Sequence, residues 1–121
     1  MKQVGFMLLG FALAAMAHHG WAAFDNKSNI TLKGTVTAFH FVNPHSVVDF
    51  DVKGEDGKVV SWQGELTSSL HLKRRGWSAV SLEAGDEITV HGNPARSGVK
   101  TMRILKLESA KHLDMDPNDG N

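Results

Sequence analysis

Ile30-Thr31-Leu32-Lys33-Gly34-Thr35-Val36-Thr37 alternates apolar and polar side chains, the period of a strand with one face buried. The alternation runs on through Phe39 and Phe41, but its phase slips between Val36 and Phe39. That slip predicts a β-bulge between Gly34 and Ala38, bending a long strand across a barrel corner. Asn43-Pro44 ends the run, because proline lacks an N–H and holds its predecessor extended. A second strand is expected from His45 to about Lys53, with Val48, Phe50 and Val52 on one face. Gly54-Glu55-Asp56-Gly57 then reads as a turn, and Val59 opens a third strand to Glu65 or Leu66. Thr67-Ser68-Ser69 can cap a short helix, with Leu66, Leu70 and Trp77 on one side and Gly76 as its stop. Leu82 to Asp86 turns into a fourth strand, Glu87 to His91. A loop from Gly92 to Gly98 leads to a fifth, Lys100 to Leu107.

Three strands, a short helix and two strands is the element order of the OB-fold. The chain is therefore expected to be all-β with one short helix, a small five-stranded OB-fold-like barrel over residues 30–108. The alternative is another small antiparallel barrel or sandwich.

The 121 residues suffice for one domain. Thirteen basic and thirteen acidic residues give a formal charge of zero, which argues against a protein built to coat nucleic acid or an anionic membrane. No cysteine is present, so disulfides, thiolate metal sites and cysteine nucleophiles are excluded. Seven histidines stand out.

Lys2, the charge-free and mostly apolar run from Val4 to Ala17, and Ala15-Met16-Ala17 together read as a signal peptide over residues 1–17. The run is shorter than the roughly 20 residues a spanning helix needs, so no membrane span is expected in the mature form. The product is expected to be exported to a bacterial periplasm. Residues 18–29 form a polar N-terminal segment, and residues 109–121 a disordered acidic tail.

His18-His19-Gly20, the Gly34-Thr35-Val36-Thr37 strand, Asn43-Pro44-His45, Trp62, Arg74-Arg75-Gly76-Trp77 and Leu82 to Asp86 together resemble a family of short exported bacterial proteins known as a domain of unknown function. The resemblance covers nearly all of the mature chain up to about Leu107. It implies export and a single small domain, and implies no activity. His40, His71 and His91 fall outside its motifs.

Cleavage after Ala17 would leave His18 at a free N-terminus. Its α-amine and ring Nδ1 could then close a six-membered chelate on one metal ion, which an internal histidine cannot do. His19 adds a second imidazole, and His45, held rigidly after Pro44, is the best internal partner. A nitrogen-only set of His18, His19 and His45 suits copper, as Cu(II), ahead of Ni(II) or Zn(II). The plainer readings are a soluble leader for the histidine pair and a turn histidine bonded to Asn43 or a nearby carbonyl for His45. The alternative function is a non-metal binding or interaction module, with a groove near Trp62, Glu65 and Trp77 holding an envelope protein or small ligand.

Phe39, Phe41, Trp62 and Trp77 with Lys73-Arg74-Arg75 contain the ingredients of a single-strand nucleic-acid site. Export and a mature charge of one negative, once Lys2 is lost, argue against that partner. Asp114, Asp116 and Asn118 imitate the start of a calcium loop, but the glycine falls one place late and the closing glutamate is missing. No nucleophile elbow, carboxylate pair or phosphate-binding glycine loop is present, and no enzyme activity is expected.

Overall fold

The computed structural model describes residues 20–111. The strands are β1 (Ile30–His40), β2 (Val47–Lys53), β3 (Val59–Glu65), β4 (Glu87–Pro94) and β5 (Thr101–Ser109), and one helix, α1 (Ser69–Arg74), lies between β3 and β4. They close a barrel in the order β1-β2-β3-β5-β4. β1 serves two neighbours. Its first half pairs with β4 from Ile30↔Gly92 to Thr35↔Glu87, and its second half with β2 from Thr35↔Asp51 to His40↔Val47. The register shift between Val36 and Ala38 is the bulge that the phase slip predicts, and it lets one strand bend across both partners. Parallel pairing of β3 with β5, over Gln63–Glu65, closes the barrel.

Val48, Phe50, Val90, Met102 and Ile104 are each at most 1% exposed and fill the interior. Helix α1 covers one end. The Ser68 side chain caps it by accepting from the His71 N–H, and Gly76 at φ +89° ends it. Its inward residue differs from the expectation: Leu72 is 1% exposed, whereas Leu70 is 52% exposed. The Ser68 cap fixes the helix phase, and two residues at 100° each carry Leu70 away from the side that Leu72 buries.

Two further differences concern the ends of elements. β4 does not stop at His91 but passes through a bulge between His91 and Gly92 and continues to Pro94. Glycine is required there, because a Cβ on Gly92 would collide with the Arg103 carbonyl oxygen. The stretch before β1 is also more than a polar leader. Gly20–Ala23 forms a 3-10 turn, Phe24 is 5% exposed and bridges to Ala95. The Asp25 N–H donates to the Pro94 carbonyl at 2.9 Å, and the Arg96 N–H to the Ala23 carbonyl at 2.9 Å. One buried aromatic thus docks the segment along the end of β4, at a gain of about 1.5–3 kcal/mol for its burial.

No helix among the described residues is long and apolar enough to cross a membrane. The expected signal peptide, His18 and His19, and residues 112–121 of the expected tail lie outside the described residues, while Ser109, where that tail is expected to begin, is the last residue of β5.

Candidate functional site

His45 projects from a loop tied at both ends. Ser46, fully buried, donates its hydroxyl to the Val42 carbonyl at 3.1 Å and accepts from the Val42 N–H at 3.3 Å. Its backbone N–H donates to the Thr67 carbonyl at 3.0 Å, and its carbonyl accepts from the Leu66 N–H at 2.8 Å. Asn43, joined to Pro44 by a cis peptide bond, anchors the other side: its Oδ1 accepts from the Ser69 hydroxyl at 2.8 Å and the Leu70 N–H at 3.3 Å. The loop is thereby fixed to the start of α1, and the imidazole is aimed by a rigid frame.

Three elements converge on that imidazole. The Trp21 indole, from the 3-10 turn, stacks on it with centroids 4.4 Å apart and planes 25° off parallel. The Arg103 guanidinium, from β5, sits 4.2 Å from the Trp21 ring centroid, a cation–π contact. Glu65, the last residue of β3, is paired in register with Val47 on one side and Arg103 on the other. Its Oε2 lies 3.9 Å from His45 Nδ1. Burial, reinforced by the positive charge of Arg103, pushes the His45 pKa below the ordinary imidazole value. Burial raises the Glu65 carboxyl and lowers the Arg103 guanidinium. The site thus favours a neutral imidazole, whose lone pair can take a metal or a proton, beside a half-buried carboxyl group.

Residues 7–103 match a family of unknown function, DUF6152. The chain belongs to that family. A comparison with curated proteins gives no match. Among solved structures, the barrel is similar to part of a complex of TiaS with tRNA and ATP (20% identity, TM-score 0.46, covering 70% of this chain and 18% of that one). It is also similar to part of a tRNA fluorescent labelling enzyme (19%, 0.45, 70% and 18%) and of a ZRD-deleted mutant of TiaS with agmatine (17%, 0.43, 80% and 24%). The chain spans less than a quarter of each of these proteins.

The DUF6152 barrel distributes the other sequence candidates unevenly. Trp62, Glu65 and Trp77 do not share a groove. Trp77 is 2% exposed and packs in the core, 5.9 Å from Phe39. Trp62 and Glu65, three residues apart on β3, point to opposite faces. Trp62 packs against the core, with Lys100 Nζ 5.3 Å from its ring centroid. Glu65 belongs instead with His45. His40 is exposed and pairs with Asp49 at 2.9 Å. His91 bridges Thr31 at 2.9 Å and Glu108 at 3.2 Å across three strands. Among the described residues no group of three or more His, Asp or Glu side chains is arranged to hold a metal ion.

Trp21 and Arg103 were not singled out by the sequence. Trp21-Ala22-Ala23-Phe24 does carry a signal, two aromatics three residues apart, the spacing of one face of a helical turn. Arg103 carries none. It is one of several alternating outward residues of β5, and only the parallel pairing with β3 brings it beside Glu65.

Proposed function

We propose that this DUF6152 protein is an exported, periplasmic metal-binding protein that holds copper at the His45 end of the barrel. The ligands are the mature N-terminal His18, through amine and imidazole, with His19 and His45. The observation that carries this reading is the Trp21–His45 stack. His19 precedes Trp21 by two residues, and two residues of chain reach at most about 7 Å. Chain length therefore lets the histidine pair reach the rigidly held internal histidine.

The residues on hand fit the chemistry of Cu(II). His45 is held toward its neutral form, as coordination requires, and the ligand set needs no thiolate in a chain without cysteine. His45 is the one proposed ligand among the described residues, and the histidine pair would complete the set. The Glu65 carboxylate lies 3.9 Å from Nδ1 of His45, beyond hydrogen-bond reach. Its negative charge would favour a cation held at the imidazole. A scavenger or carrier of copper is the role that fits such a site.

Mass spectrometry of the exported protein tests the premise. A product beginning at His18 is expected, and one beginning at Gly20 or later removes both N-terminal ligands and overturns the reading.

A further inference from the structure

A net charge of zero conceals a strong local asymmetry. From Leu66 to Leu82 the chain carries Lys73, Arg74 and Arg75 and no carboxylate. From Gly34 to Val48 it carries no carboxylate either. The fold joins these two acid-free stretches. The Ser69 N–H donates to the Val42 carbonyl at 3.0 Å, and Asn43 Oδ1 accepts from the Leu70 N–H at 3.3 Å. Val42 and Leu70 are thereby held close together, 47% and 52% exposed. Leu70 and Arg74 are four residues apart on the outward side of α1, one above the other, with Lys73 exposed alongside. The carboxylates Asp51, Glu87 and Glu108 border a separate groove of about 820 Å³, which none of these patch residues lines.

We infer that the Val42–Leu70 patch with Lys73 and Arg74 is a peripheral docking surface for an anionic lipid bilayer. Two exposed aliphatic tips on a helix-and-loop surface can enter the headgroup boundary while the basic side chains stay at headgroup level. That arrangement needs no shape-matched pocket. A protein partner, by contrast, would need about 800 Å² of complementary surface on each side, and neither groove of the barrel is lined by these residues. Charge complementarity therefore selects the occupant. This surface does not depend on copper, and it stands if the metal reading fails.

Flotation with vesicles tests the surface. The full chain, as recovered after export, is mixed with phosphatidylglycerol–phosphatidylcholine vesicles and with phosphatidylcholine vesicles alone. Co-flotation with the anionic vesicles is expected, weakening as salt is raised because exposed charges are screened. The double variant Lys73→Ala/Arg74→Ala should lower partitioning about 30-fold, from about 1 kcal/mol for each cation at the surface. Leu70→Ser should lower it several-fold with an unchanged circular dichroism spectrum. Equal flotation by the wild type and the double variant would overturn the inference, since residual leader peptide would give that result. So would retention on immobilised polyglutamate with no flotation, which would assign the patch to an acidic protein.

Discussion

The indole of Trp21 lies 4.4 Å from the imidazole of His45, ring on ring, although the two residues belong to different elements and 24 positions separate them in the sequence. Through this contact the N-terminal turn meets the loop that carries the one candidate ligand among the described residues. Arg103 on the same indole ties β5 into the arrangement. Trp21→Ala should therefore do two things at once. Loss of the stack and the cation–π contact should cost about 1–2 kcal/mol of stability, read from urea unfolding. Under the proposed ligand set copper affinity should also fall, since Trp21 would no longer seat the N-terminal turn against His45.

Glu65→Gln tests whether the carboxylate beside His45 supports copper binding. The amide is nearly isosteric, so the barrel should unfold at an almost unchanged urea concentration. Loss of the negative charge 3.9 Å from the imidazole should lower copper affinity several-fold. Competition titration against a chelator of known affinity reads the change. An affinity equal to that of the wild type would mean that the 3.9 Å approach has no bearing on the metal.

The barrel was legible because its signals are local. Alternation in Ile30 to Thr37, the phase slip after Val36, the Asp56-Gly57 turn and the Ser68 cap each act within a few residues, and the structure places a strand, a bulge, a turn and a helix start there. The length of β4 was not legible. Gly92-Asn93-Pro94 has the composition of a loop, yet the close approach of the Arg103 carbonyl holds it in the sheet. The site was half legible. His45 drew attention through Pro44, and Glu65 was assigned to a groove with Trp62 and Trp77. Its true neighbour follows from the register of three strands, which no local pattern in the sequence encodes.

Gly92→Ala tests the account of β4. The added methyl meets backbone rather than a mobile side chain, so the bulge cannot absorb it by a rotamer change. Destabilisation of about 3 kcal/mol or more is expected, at the upper end for a single substitution. Thermal or urea unfolding measures it, and a variant within about 0.5 kcal/mol of wild type would show that β4 and β5 can separate there without loss.

Lys111 gives the pH dependence. Its ammonium lies 2.8 Å from Asp86 and 3.3 Å from Glu83. Asp86 is held below its ordinary value of 3.8, first by the hydrogen bond from Lys111 and then by the Glu83 N–H. A carboxyl whose pKa is lower folded than unfolded adds stability above the unfolded value and loses it as pH falls through the folded one. The melting-temperature gap between wild type and Lys111→Met should thus be small, as for a surface pair, and steady near neutral pH. It should close below about pH 3.8. A gap that widened in acid would contradict the assignment.

The most direct test of the copper site is a Cu(II) titration of the protein beginning at His18, followed by its visible d–d absorption, in four forms. These are the natural start and a start extended by one alanine, each with His45 and with His45→Ala. Saturable one-to-one binding is expected for the natural protein, with His45→Ala weakening it tenfold or more. In the extended protein the amine–imidazole ring at His18 cannot form. His19 would then close a different set through deprotonated backbone nitrogens, so the spectrum should change and His45→Ala should have no effect. If His45→Ala leaves copper binding unchanged in both backgrounds, the barrel contributes no ligand and the proposed site is wrong.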